Sequence, residues 1–192
     1  TAAPAGGTYT AAPILESHAM AIDPHAATVP TLVRALIQLR GILAKGAAHA
    51  EAQGWDPAVL LGMRLAPDMF PLTRQVQIAT DIAKNAGGRP TGTVAPRFED
   101  DETTFAELDA RVQRAIDFLQ SLPVDAFAGA ETRAVTVPSR AFGDLHFTGK
   151  DYLFAFVLPN VYFHSTTAYA LLRHAGVPLG KADYIGPPPA QG

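Results

Sequence analysis

Along most of the chain, apolar residues return at steps of three and four, the spacing of amphipathic helices. Leu32, Ala35, Leu36, Leu39, Leu43 and Ala47 predict a first long helix from Thr28, which can cap it, to about Glu51, with Gly54 as its stop. Pro30 falls in the first turn, where a missing N–H costs no intrahelical hydrogen bond. Asp56 to Leu61 reads as a short helical turn. A second helix is predicted from about Ala66 to Asn85 on Met69, Leu72, Val76, Ala79 and Ala83. Pro71 marks either its real start or a bend, and the run from Gly87 through Gly88 and Pro90 to Gly92 is expected to end it. Phe105, Leu108, Val112, Ala115, Ile116 and Leu119 give a third helix, capped by Thr103 or Thr104, with Glu107 placed to close a capping box on Thr104 and Pro123 as the stop.

The period then changes. Ala134–Val137 and Leu145–Phe147 alternate across Ser139, Gly143 and Asp144, which predicts a small hairpin. A fourth helix follows Gly149, interrupted or kinked at Pro159, and ends at Gly176. Nothing regular is expected from Gly180 to Gly192. The most economical architecture is an all-α four-helix bundle with a small β-hairpin before the last long helix. Residues 20–186 form its single domain, residues 1–19 are an extension or an expression leader, and residues 187–192 are a proline-rich tail.

Composition narrows the function. A chain of 192 residues, 48% hydrophobic and rich in alanine, can bury one core. Its formal charge of −3 argues against a nucleic-acid partner, because Arg111 and Arg114 are interleaved with Glu107, Asp109 and Asp117. No cysteine is present, which excludes disulfides, thiolate catalysis and cysteine-bound zinc, and suits a cytoplasmic location. No run approaches the roughly 18 continuous apolar residues of a membrane span, so no membrane association is expected. GxSxG, GxGxxG and GxxxxGK[ST] motifs are absent.

Candidate chemistry collects on the fourth helix. Asn160 and His164 lie four residues apart and share a face with Leu153, Val157, Thr167 and Leu171, an apolar stripe with a polar centre. His164 is either a hydrogen-bonded core histidine or a metal ligand. In the second helix Gln75 lies at the edge of the apolar face, where a buried amide needs a partner such as a histidine across the bundle. Asp68 and Asp81 are explained by a helix start and by pairing with Lys84 or Gln77. His174 and His49 suit helix C-termini, His25 a polar turn and His146 the outer face of the hairpin, while His18 belongs to the extension. Tyr152, Tyr162 and Tyr169 carry hydroxyls that could line a pocket among the many aromatics of this region.

Several blocks resemble an uncharacterised bacterial and fungal family within the DinB/YfiT-like superfamily of helical bundles associated with metal-dependent chemistry. They are Leu65–Pro71 with Arg74, Gln75 and Gln77; Phe98–Asp100 with Glu102–Phe105; Phe147–Tyr152; and Leu158–His164 through Val177. The resemblance covers roughly Met20 to Gly186. It implies a DinB-like bundle whose metal, where present, is held by one histidine of the second helix and an H-x-x-x-H pair of the last. On that pattern His164 stands at the second position of the pair and Asn160 at the first. The second helix has no histidine, and Gln75 is the loose candidate for its place. Relatives with the full triad include thiol-transferring enzymes and metal-dependent hydrolases.

The expectation is therefore a small-molecule-binding bundle with a pocket around His164, lined by Gln75, Asn160, Tyr162, His164 and Thr167. The alternative is a metal-dependent transferase or hydrolase in which His164 and a divalent transition metal form a degenerate site. No nucleophile and base can be named for a metal-independent enzyme. Surplus apolar and aromatic surface suggests a homodimer.

Overall fold

A computed structural model describes residues 22–139 and 143–188. The extension 1–19 with His18, and residues 189–192 of the tail, lie outside the described residues. Helix α1 (Pro24–Gln53) starts one turn before the predicted cap. Asp23, not Thr28, caps it by accepting from the Ala26 N–H at 3.0 Å, and Pro24 occupies the first turn. Thr28 is instead buried inside the helix, and Gly54 ends it in the left-handed conformation as expected. A short α2 (Pro57–Gly62), capped by Asp56, follows.

Helix α3 (Leu72–Thr91) begins at Pro71 rather than Ala66, and it continues through Gly87, Gly88 and Pro90 to Gly92. Those glycines are packing positions, not stops. A Cβ on Gly87 would stand 2.5 Å from Leu122 and 2.9 Å from Leu119, and one on Gly88 would stand 2.8 Å from the Thr93 carbonyl oxygen. Helix α4 (Phe105–Ser121) carries the predicted capping box, Thr104 accepting from Glu107 N–H while Glu107 accepts from Thr104 N–H. A 3₁₀ turn (Val124–Phe127) leads to the antiparallel hairpin β1 (Ala134–Val137) and β2 (Leu145–Thr148), with Val135 opposite Phe147.

The last long helix is continuous. A first turn α5 (Gly149–Asp151) passes into a π segment (Tyr152–Val157) and then α6 (Leu158–His174). Pro159 neither breaks nor separates it, because it sits in the first turn of α6 immediately after the wider winding. A final helix α7 (Lys181–Ile185) forms where no element was predicted. It is tied to α1 by Lys45–Asp183 at 2.6 Å and by Arg34, which donates to the carbonyls of Ile185 and Pro187 at 2.8 and 2.6 Å.

In the bundle α3 packs against α4 and α6, and α1 against the same two helices. The core is one apolar cluster that includes Leu32, Leu36, Leu39 and Leu43 of α1, Leu108 and Leu119 of α4, and Leu171 of α6. By length and mean hydropathy α1 could cross a membrane, yet these leucines are packed inside the protein.

Candidate functional site

The α3–α6 contact brings together two polar side chains that the sequence places 89 positions apart. Gln75 lies in the first turn of α3, one residue before Val76, and is 1% exposed. His164 lies midway along α6 and is 9% exposed. His164 Nδ1 is 2.7 Å from Gln75 Oε1, and Gln75 Nε2 donates to the Phe70 carbonyl at 3.0 Å.

This relay fixes the imidazole. With the Gln75 NH₂ group committed to a carbonyl, its oxygen must accept, so Nδ1 carries the proton and donates. Burial, followed by the positive charge of Arg74, lowers the His164 pKa to about 4. The ring is therefore neutral near pH 7 and presents a lone pair at Nε2, which has no hydrogen-bond partner among the described residues. The ring of Phe163, itself exposed, stands edge-on at 5.2 Å.

The other predicted site residues are dispersed. Asn160 does not join His164: it is half-buried, and its amide donates to the Phe156 carbonyl one turn back at 2.7 Å. Thr167 is buried and donates to the Phe163 carbonyl at 2.8 Å. Tyr162 lines a cavity of about 280 Å³, but that space lies between α1, α6 and α7. A larger one of about 630 Å³ lies near the start of α1 and Lys150. Neither is lined by His164, Gln75 or Asn160. His25 packs against Phe127, His49 against Trp55, His146 contacts Thr136 across the hairpin, and His174 is exposed in the last turn of α6.

Sequence reasoning missed the most heavily bonded polar side chain among the described residues. Arg111 of α4 is 0% exposed. Its Nε donates to Thr80 at 2.8 Å; Nη1 meets Glu102 at 3.0 Å and Asp100 at 2.8 Å; Nη2 meets the Gln77 carbonyl at 3.3 Å and Asp81 at 3.1 Å. Gln77 also donates to Glu102, and the Phe98 ring lies 4.7 Å from the guanidinium. The position of Arg111 one step before Val112, in the apolar stripe of α4, was the available signal. Asp81 is partly buried here and also makes the expected pair with Lys84, at 3.2 Å.

Tested as a metal centre, the donor set is thin. His164 offers one imidazole nitrogen, whereas Gln75 is spent on Nδ1 and Phe70, and Asn160 has turned its NH₂ to Phe156. No group of three His, Asp or Glu side chains suited to a metal occurs among the described residues. A catalytic transition-metal site draws on three protein ligands, so these residues do not fit one.

The chain matches the family described as Domain of unknown function (DUF1993) over residues 25–185. It belongs to that family. The DUF1993 chain also superposes, with a TM-score of 0.80 and 40% sequence identity, on the crystal structure of a DinB family member protein from Shewanella denitrificans. The match covers 88% of this chain and 94% of the other. This DUF1993 protein is thus a DinB/YfiT-like bundle with a short hairpin ahead of its long last helix. A search of curated proteins finds no match.

Proposed function

We propose that this protein binds a small molecule at His164, through a ligand N–H or O–H donated to Nε2 and an apolar face laid on Phe163. The observation that carries the reading is the relay from the Phe70 carbonyl through Gln75 to Nδ1, which sets one tautomer and leaves one acceptor without a partner among the described residues. A buried histidine that served packing alone would more commonly have both nitrogens engaged. The depressed pKa keeps that acceptor available at neutral pH.

The test is a screen of thiols, phenols and aromatic acids, read by thermal shift and by the imidazole ¹⁵N resonances. A binder is expected to move the Nε2 resonance while Nδ1 stays protonated, and to lose affinity in His164→Asn. A screen with no compound that moves the Nε2 resonance would end this reading.

A metal-associated reading draws on the same relay, since a ligating imidazole is held in this way by a partner on its other nitrogen. Titration of Zn²⁺, Ni²⁺ and Mn²⁺ against protein prepared without chelator separates the two. Stoichiometric binding lost in His164→Asn would favour metal, and its absence alongside an organic binder would favour the first reading.

A further inference from the structure

Away from His164, α7 lies over a seam between α1 and α6 and leaves the 280 Å³ cavity beneath it. Its walls are unlike those of a packing defect. Ser165 of α6 is 3% exposed and lines this space, and its hydroxyl has no hydrogen-bond partner among the described residues. A hydroxyl in that position carries a desolvation cost that a ligand atom would remove. On the facing helix Arg34 also lines the cavity. Its Nη2 holds the carbonyls of Ile185 and Pro187, while Nε and Nη1 have no partner and no carboxylate pairs with Arg34 among the described residues. Between these polar ends, Ala35, Leu39 and Ile42 give an apolar wall, and Tyr162 and Tyr184 close the space opposite. Tyr184 is itself positioned, accepting from Thr166 at 2.9 Å.

We infer that this cavity is a second binding site, separate from His164, for a small monocarboxylate bearing a further polar group on an apolar body. The carboxylate meets the open edge of the Arg34 guanidinium, a pairing suited to its planar fork. The body lies along Leu39 and Ile42, and the far polar group takes the Ser165 hydroxyl. The walls are held without the ligand: Arg34 and Lys45 fasten α7, and Gly186 lies so close to Gln38 that a Cβ there would stand 2.4 Å from its amide nitrogen. A site fastened before binding loses less on ordering when the ligand arrives.

The probes are para-hydroxybenzoate, benzoate and para-hydroxybenzamide, titrated against the full chain by NMR and calorimetry. Para-hydroxybenzoate is expected to bind one to one, more tightly than benzoate, with the uncharged amide weakest. Ser165→Ala is the decisive variant, because it removes a hydroxyl with no partner to lose and should not lower the melting temperature. It is expected to weaken para-hydroxybenzoate about tenfold and to leave benzoate almost unchanged, the size of one hydrogen bond. Arg34→Gln should weaken both acids and bring them level with the amide, and His164→Asn should leave all three alone. No saturable binding of any probe, or the same affinities in Ser165→Ala and Arg34→Gln, would overturn the inference. Binding lost in His164→Asn but kept in Ser165→Ala would also overturn it, and would move the acids to the His164 site.

Discussion

Arg111 and His164 are both buried polar residues on helices that pack against α3, yet they are finished differently. Every nitrogen of Arg111 is engaged: Nε donates to Thr80, Nη1 to Glu102 and Nη2 to the Gln77 carbonyl, with Asp100 and Asp81 in ion pairs beside them. His164 has one nitrogen satisfied through Gln75 and one with no partner among the described residues. A saturated group can only hold the fold together, pinning the segment that carries Phe98, Asp100 and Glu102 against α3 and α4. An unsaturated one keeps bonding capacity that packing does not use. The completeness of its bonding, rather than its burial or its charge, separates a structural polar residue from a candidate for function.

Removing one member of the saturated set should have the largest effect. Arg111→Met leaves the buried Glu102 with only the longer 3.7 Å contact to the exposed Arg114 and is expected to cost about 3–5 kcal/mol in urea unfolding. A loss under about 1 kcal/mol would show that the knot is replaceable. Next comes pH. The folded pKa of His164 lies near 4 against 6.5 for a free histidine, so the folded state resists a proton that the unfolded state accepts. Its contribution is complete above pH 6.5, declines as the pH falls, and is gone below about 4, a swing of up to about 3 kcal/mol. The wild-type protein should therefore lose more stability between pH 7 and pH 4 than His164→Asn does, and parallel curves would contradict this. Gln75→Ala should cost about 1–3 kcal/mol by leaving Nδ1 without its acceptor, and should free the ring to exchange tautomers, visible in its ¹⁵N shifts. The smallest effect joins the two regions. Arg74 pairs with Asp100 at 2.5 Å and also helps hold His164 neutral. Arg74→Gln should raise the His164 pKa in an NMR titration, and an unmoved midpoint would confine the shift to burial.

The fold was legible where periodicity was long and local chemistry agreed with it. The capping box of Thr104 and Glu107, the Gly54 stop and the presence of the hairpin follow from side chains acting on their own neighbours. Errors came where distant atoms decide. Gly87 and Gly88 look like a stop until Leu119 and Leu122 arrive against them, and α7 is only five residues long and relies on Lys45 and Arg34. The site divides in the same way. Gln75 could be chosen as a partner for His164 because an amide on an apolar edge must be bonded. Asn160 could not be excluded by spacing, since its local turn to the Phe156 carbonyl competes with a cross-helix contact and wins. Arg111 shows no local mark of its burial, because its acceptors come from two other stretches of chain, residues 77–81 and 100–102.

The separation between Gln75 and His164 also bears on the order in which the molecule assembles. The bonds of Arg111 span 9, 31 and 34 positions and close within the α3–α4 hairpin, whereas the bond to His164 spans 89. Closing the longer loop costs more chain entropy and must wait until the last helix has docked. Gln75→Ala should accordingly speed unfolding while leaving the refolding rate nearly unchanged, and Arg111→Met should slow refolding. The open nitrogen of His164 is thus expected to be among the last features to form and, when the last helix loosens, among the first to be lost.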